Sequence, residues 1–442
     1  MKDLTTDRPI KVIWWFALPM ILGQMAQQLY SFVDSAIVGN YVSTDALAAV
    51  GATSVVSNML IGFLNSATLG LAIPVARYFG AKDYKNMRKC IFVSVSLTLI
   101  ATLALMLCGL LCIHKILVLL GTPADILDMS YDYVLIILWG MIFTSAYNFF
   151  ANLLRAVGDS RTPLIFLGIA VVLNIFLDLL FIRAFHAGVK GAAAATIISQ
   201  AVAAITCVIY IFIKSKFLIP DRDEHHVSRT DFNDLVFSAL SMGFMSCIVN
   251  IGTVILQSAI NGLGTSIVTA HTAARKVFDL LCTMLYIVGN ATTTFVSQNI
   301  GAHRLDRVKA GVRDALLLNT IITTGIVILG WLFGYYLLRF VTGTSDPAIL
   351  KPALMYIRIS ITCFYVLGPV FVLRCSMQGM GRKLVPIASS TLELVGKIAA
   401  VTFLTPRLGY LGVSITEPII WLLCTIMLSV MYLAKPVEKL HF

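Results

Sequence analysis

The chain has 442 residues, of which 58% are hydrophobic and only 12% are charged. Soluble globular proteins carry roughly 25% charged residues, so the composition excludes an ordinary soluble domain and points to a chain that crosses a membrane many times. A net charge of +11 would suggest nucleic acid in a soluble protein, but in a membrane chain it reflects basic loops gathered on one side.

The N-terminus, MKDLTTDRPIK, has mixed charge. The apolar run behind it is too long for a signal-peptide core and has no clear small-residue cleavage site, so it reads as a retained first span. A bilayer core takes about 20 apolar residues as helix. Runs of that kind lie near 12–38, 46–76, 90–113, 130–153, 163–183, 191–213, 232–259, 266–298, 311–340, 353–376, 384–405 and 411–434. The expectation is an all-α integral membrane protein of twelve spans. Residues 214–231, KSKFLIPDRDEHHVSRTD, are the most polar stretch and read as a linker between lobes 1–213 and 232–434, with a tail at 435–442. His225 and His226 in that linker read as solvated side chains rather than a metal pair. The nine cysteines lie in apolar segments without metal-type spacing and read as small packing residues.

With both termini inside, the inner segments 1–11, 77–89, 154–162, 214–231, 299–313, 374–383 and 435–442 hold 23 of the 33 Lys and Arg. That asymmetry predicts cytoplasmic termini. An internal repeat is also visible, at an offset of about 221 residues. GAKDYKNMRK (80–89) pairs with GAHRLDRVKA (301–310), GVKGAA (188–193) with GYLGVS (409–414), and LRAVGDSRTP (154–163) with MQGMGRKLVP (377–386). Each half has six spans, an even number, so both enter the membrane from the same side. Such parallel repeats are a transporter architecture, with a substrate site expected between the halves.

An ionisable side chain inside a membrane is costly and marks function by default. In the first half Asp34 and Asp178 lie well inside spans. At 1.5 Å of rise per residue, Asp34, Asp178 and Thr196 reach similar depths, and Asn174 lies one helical turn from Asp178 on the same face. Together these four offer only oxygen ligands, a set suited to Na⁺; the two carboxylates can instead share a proton. In the competing reading, Asp34 caps a helix end and Asp178 pairs with Arg183. The second half has Ile255 where Asp34 would fall, and mixed charges: Arg275, Lys276, Asp279, Arg358, Glu393, Lys397 and Glu417. Arg275–Asp279 and Glu393–Lys397 have the i,i+4 spacing of internal pairs, and a part in substrate binding or closure stays open. One cation site per chain, in the N-terminal lobe, is the expectation. Pro19, 15 residues before Asp34, permits a bend in the first helix, or is structural.

LPMILGQMAQQLYSFVDSAIVG, GAKDYKNMRK after the second span, RAVGDSRTP, LNIFLD and GVKGAAAATIISQ resemble the MATE (multidrug and toxic compound extrusion) transporters, over essentially the whole chain. The resemblance implies two six-helix bundles in a V shape and a bacterial inner-membrane antiporter. Such a protein exports organic, often cationic or amphipathic, drugs in exchange for Na⁺ or H⁺. Residue by residue, the family's N-lobe cation site falls on Asp34, Asn174, Asp178 and Thr196, and its bending proline on Pro19. The match is nearest to the DNA-damage-inducible and staphylococcal multidrug members. Some members carry acids in the seventh and tenth helices; here those helices show Asn250 and Gln257, then Arg358 and Tyr365, which speaks against a C-lobe ion site of that type. Candidate substrate-cavity residues are Gln24, Gln28, Tyr30, Asn58, Asn65, Tyr147 and Gln257, each equally suited to helix–helix hydrogen bonding. No cofactor is expected beyond the coupling ion, and the expected partners are a small organic solute, the cation and the bilayer, with a monomeric chain. The alternative is a lipid-linked oligosaccharide flippase of the same two-lobe fold. With no HExxH, GxSxG or paired His in the spans, an enzyme is not expected.

Overall fold

The computed structural model describes residues 3–119, 121–221, 224 and 227–434, with backbone only at 44 and 55. His225, His226 and the tail 435–442 lie outside the described residues. Among the described residues, the regular elements are all helical. In chain order they are α1 (Pro9–Tyr41), α2 (Thr44–Gly80), α3 (Tyr84–Leu119), α4 (Ala124–Ala156), α5 (Arg161–Asp178), α6 (Gly188–Lys214) and α7 (Arg229–Asn261). There follow α8 (Thr265–Gly301), α9 (Leu305–Thr342), α10 (Pro347–Thr362), α11 (Phe364–Gly379), α12 (Leu384–Phe403), the short α13 (Thr405–Leu408) and α14 (Tyr410–Ala434). Helix is the natural answer to these apolar runs, because hydrocarbon offers no partner for an open backbone N–H or C=O. Polar residues punctuate them. Ser43 caps α2 by accepting from Ala46 N–H at 3.0 Å, and Asp346 caps α10 with Pro347 behind it. Gly343, at φ 65°, closes α9 in the left-handed region that glycine tolerates.

Among the described residues, eleven helices are long and apolar enough to cross a membrane. The tenth expected span, 353–376, is not one straight helix. It is α10 and α11, bent by 51° around Cys363. Pro369 cannot donate to the carbonyl of Tyr365, which weakens the ladder just past the bend. Thr425 from α14 donates to the Val366 carbonyl there at 2.9 Å. Counted as one broken span, the pair brings the total to twelve. The fifth span also changes character: α5 ends at Asp178 and continues as a wider π-helical turn, Leu179–Ala184.

By packing, the chain forms two compact units. One is built on Leu22–Gly243, the other on Leu4–Ile21 with the chain from Phe244 onward. Relative to lobe bounds at 213 and 232, residues 4–21 go with the C-terminal unit and the first part of α7 with the N-terminal one. Pro19 is buried in α1 just before that change of company. The N-terminal unit centres on Met87, Cys90, Leu154, Val157 and Cys207. The C-terminal unit centres on Phe278, Phe295, Tyr356, Phe364 and Trp421.

Candidate cation site and the charges of the second unit

In the N-terminal unit, α1 runs unbroken through Asp34 to Tyr41, so Asp34 is not a cap. Asp178 is the last residue of α5, with Asn174 one turn before it. The small residues Gly191, Ala192, Ala193 and Ala195 bring α6 close to this point; a Cβ on Gly191 would sit 3.0 Å from that of Phe181. Thr196 follows directly. The side chains of Asp34 and Asp178 are in hydrogen-bonding contact, although Asp34 is only 8% exposed and Asp178 fully buried. With its amide oriented as its neighbours require, Asn174 donates to Asp178 Oδ2 at 2.8 Å and accepts from Thr196 N–H at 3.1 Å. The hydroxyls of Tyr30 and Thr196 are 2.9 Å apart.

Two buried oxygens, Asp34 Oδ1 and Asp178 Oδ1, have no hydrogen-bond partner. Two carboxyls in contact hold together only with a proton or a cation between them. Arg183 does not supply the charge: it lies over the Tyr41 ring at 5.9 Å, and no ion pair joins it to Asp178 among the described residues. A small pocket adjoins the cluster, lined in part by Gln27, Tyr30, Asn174, Thr196, Ser199 and Gln200. Ser199 Oγ and Gln200 Oε1 are likewise without partners.

The four sequence-predicted ligands thus meet in space. Asn174 spends its amide on Asp178 and the Thr196 backbone, which makes it a positioning group. Of the predicted substrate-cavity residues, Tyr30 joins this cluster. Gln28, Asn58 and Asn65 are exposed and Gln24 is half-buried. Tyr147 is buried and donates to the Pro163 carbonyl at 3.2 Å, a helix-packing contact. Gln257 donates to Asn261 at 3.0 Å.

The C-terminal unit is organised differently. Arg275 on α8 contacts both carboxylate oxygens of Glu417 on α14 at 3.1 Å and Asp279 at 3.0 Å. Tyr356 donates to Glu417 at 3.2 Å. Lys397 on α12 sits 3.4 Å from Glu417 and 3.2 Å from Glu393. Both expected i,i+4 pairs form, and Glu417 links them. The chain of charges ends on Arg374, which contacts Glu393 at 3.3 Å and Ser389 at 2.8 Å. Sequence reading assigned Arg374 to an inner loop; it is instead buried within α11, 5% exposed. The signal was Glu393, an acid in an apolar run whose one near cation, Lys397, is shared. His271, beside Tyr356 and 3.2 Å from the Tyr410 hydroxyl, also escaped the sequence reading. Arg358 stands apart, over the Trp331 ring at 4.7 Å.

The MatE family model matches the chain twice, over residues 19–180 and 241–401, which independently carries the internal repeat. A relative in Bacillus subtilis named probable multidrug resistance protein YpnP is 29% identical over 86% of this chain and 85% of its own length. A protein of Shewanella oneidensis named FAD transporter is 23% identical over 87% of this chain and 84% of its own. Among solved structures, an outward-facing multidrug resistance MATE family transporter of the MOP superfamily superposes with a TM-score of 0.92 at 21% identity, covering all of this chain and 98% of that one.

Proposed function

The chain belongs to the MatE family, a multi-pass membrane transporter and not an enzyme, and from that premise we propose that it is a cation-coupled exporter of amphipathic organic compounds. It works in the bacterial inner membrane with both termini in the cytoplasm, as the basic inner loops favour. The observation that carries the coupling is the contact between two buried carboxyls, each with an oxygen left unsatisfied. Na⁺ or H⁺ is the ion. Asp34 and Asp178 take its charge, Thr196 and Tyr30 offer hydroxyl oxygens, and Asn174 holds Asp178 in place. When the ion leaves, two like charges face each other in a medium of low dielectric and repel. Occupied and empty sites therefore favour different conformations, and that differential affinity is what couples the ion to the substrate. The names of the relatives support drug export. A lipid-linked oligosaccharide flippase fits less well, because Arg275, Arg374 and Lys397 are spent on acids rather than left for a pyrophosphate.

The test is gradient-driven efflux from proteoliposomes, with Na⁺ and pH gradients imposed separately. Asp34→Asn and Asp178→Asn should each lose at least tenfold of the driven flux under whichever gradient drives wild type. Full coupling in both variants refutes the site.

A further inference from the structure

Among the charged side chains in the helices of the C-terminal unit are five cations, Arg275, Lys276, Arg358, Arg374 and Lys397, and three acids, Asp279, Glu393 and Glu417. Four of the five cations are placed: three in the ion network and Arg358 over Trp331. Lys276 is exposed and has no hydrogen bond or ion pair among the described residues. It lies 11 residues into α8, about 16 Å along the axis, directly beside Arg275 and so at the level of the buried network.

The face on which it stands is unusual. The exposed residues of α8 are Thr265, Ser266, Thr269, Thr272, Lys276 and Asp279; each is polar. Their spacing follows one stripe of the helix. Neighbouring spans show what a hydrocarbon-facing surface looks like in this chain. Among the exposed residues of α9 are Leu317, Ile321, Ile328, Trp331 and Leu332. An unpaired ammonium on a wholly polar stripe, inside a span, is tolerable where it meets water rather than lipid tails. The stripe therefore lines a wetted surface. The charge available on it is positive, because Asp279 is held by Arg275.

We propose that Lys276 is a substrate-recognition residue that takes a carboxylate or phosphate group of the exported molecule, so that the substrate class includes amphipathic anions and zwitterions. This rests on the reading of the chain as an exporter and adds the charge of its cargo. Thr272 and Thr269, one and two turns away, offer hydroxyls beside the ammonium. The neighbouring Arg275–Asp279 pair keeps a second cation from the solute, which leaves one positive anchor rather than a clamp for a pyrophosphate.

The test is equilibrium binding, which needs no gradient. Fluorescein, an anionic amphiphile, and rhodamine 6G, a cationic relative, are titrated against the purified chain in nanodiscs of phosphatidylcholine, read by fluorescence polarisation. Lys276→Gln should weaken fluorescein about tenfold, the loss of one charge-assisted contact, and leave rhodamine 6G unchanged or tighter. Lys276→Arg should retain fluorescein. Flux is not read here, so a failure of cation coupling in efflux and a failure of anion recognition in binding separate cleanly. Equal fluorescein affinity in wild type and Lys276→Gln overturns the proposal. So does a loss of fluorescein affinity on changing to phosphatidylglycerol nanodiscs that is seen in wild type and absent in Lys276→Gln, which assigns Lys276 to a lipid headgroup.

Discussion

Removing the charge of Glu417 should destabilise the C-terminal unit severely. Glu417 is 4% exposed and accepts from Arg275, Lys397 and Tyr356 at 3.1, 3.4 and 3.2 Å. After Glu417→Gln the network holds three cations, Arg275, Lys397 and Arg374, on two acids, Asp279 and Glu393. Coulomb's law at 3.4 Å with an effective dielectric near 20 gives about 5 kcal/mol for one such contact. The desolvation of Arg275 and Lys397 is not recovered when their partner goes, so a loss of about 3–5 kcal/mol follows, the range for breaking a buried pair. The assay is SDS titration in mixed micelles, followed by circular dichroism. Adding Lys397→Met to Glu417→Gln should restore a large part of the loss, because it removes the cation left over. A Glu417→Gln midpoint equal to wild type, or a double variant no better than the sum of the two single losses, refutes the account.

Three further outcomes follow from contacts elsewhere. A Cβ on Gly70 would sit 2.4 Å from the backbone oxygen of Ser238, which cannot swing away; Gly70→Ala should cost about 1–3 kcal/mol in the same titration, whereas Gly51→Ala, with open space around it, should cost nothing. Glu224 in the linker is held by Arg88 at 2.6 and 2.7 Å, and that guanidinium lowers its carboxyl from the ordinary 4.5 to about 2. A depressed carboxyl stabilises fully above its unfolded pKa and loses that stabilisation as the pH falls from about 4.5 to about 2, so pepsin should cut the wild-type linker progressively faster over that interval, and trypsin should cut Glu224→Gln faster than wild type at pH 7. Arg307 donates to the carbonyls of Asp7, Thr6 and Leu4 at 2.8, 2.8 and 3.3 Å; Arg307→Ala should release that N-terminal strap to exopeptidase trimming, and Arg307→Lys should restore little, since one ammonium cannot fork across three carbonyls.

The convergence of Asp34, Asn174, Asp178 and Thr196 was legible in the sequence because helix rise is fixed, so residue counts from the span ends translate into depth. Depth says nothing of rotation about a helix axis. For that reason the closure of Arg275, Glu417 and Lys397 across three helices could not be read, though the two i,i+4 pairs could. The bend at Cys363 was hidden because an apolar run is equally apolar straight or kinked. Arg374 was misplaced because the inner segment was drawn from 374, among the basic residues that follow, whereas α11 runs to Gly379 and buries the arginine. Tyr147 looked like a cavity residue because an aromatic hydroxyl in a span has two uses, and here a packing contact with Pro163 took it.

The repeat accounts for the absence of a second copy of the proposed cation site among the described residues. Carried from the loops into the helices, the offset of 221 sets Glu417 opposite Thr196, and the offset of 223 sets Lys397 opposite Asn174. In the N-terminal unit this pair of positions is joined by a neutral hydrogen bond, Thr196 N–H to the Asn174 oxygen at 3.1 Å, and two carboxylates nearby lack a counter-charge. In the C-terminal unit the same two positions are an ammonium and a carboxylate 3.4 Å apart. By sequence register Lys397 thus brings a tethered cation to the position that, in the other repeat, belongs to the proposed site of a free one. Lys397→Ala should leave Glu393 and Glu417 sharing a buried space with too little positive charge. That variant should be less stable in choline buffer and should recover stability on adding Na⁺ beyond any recovery seen in wild type, by RT ln(1 + [Na⁺]/Kd). Identical Na⁺ responses in Lys397→Ala and wild type would break the equivalence of the two sites.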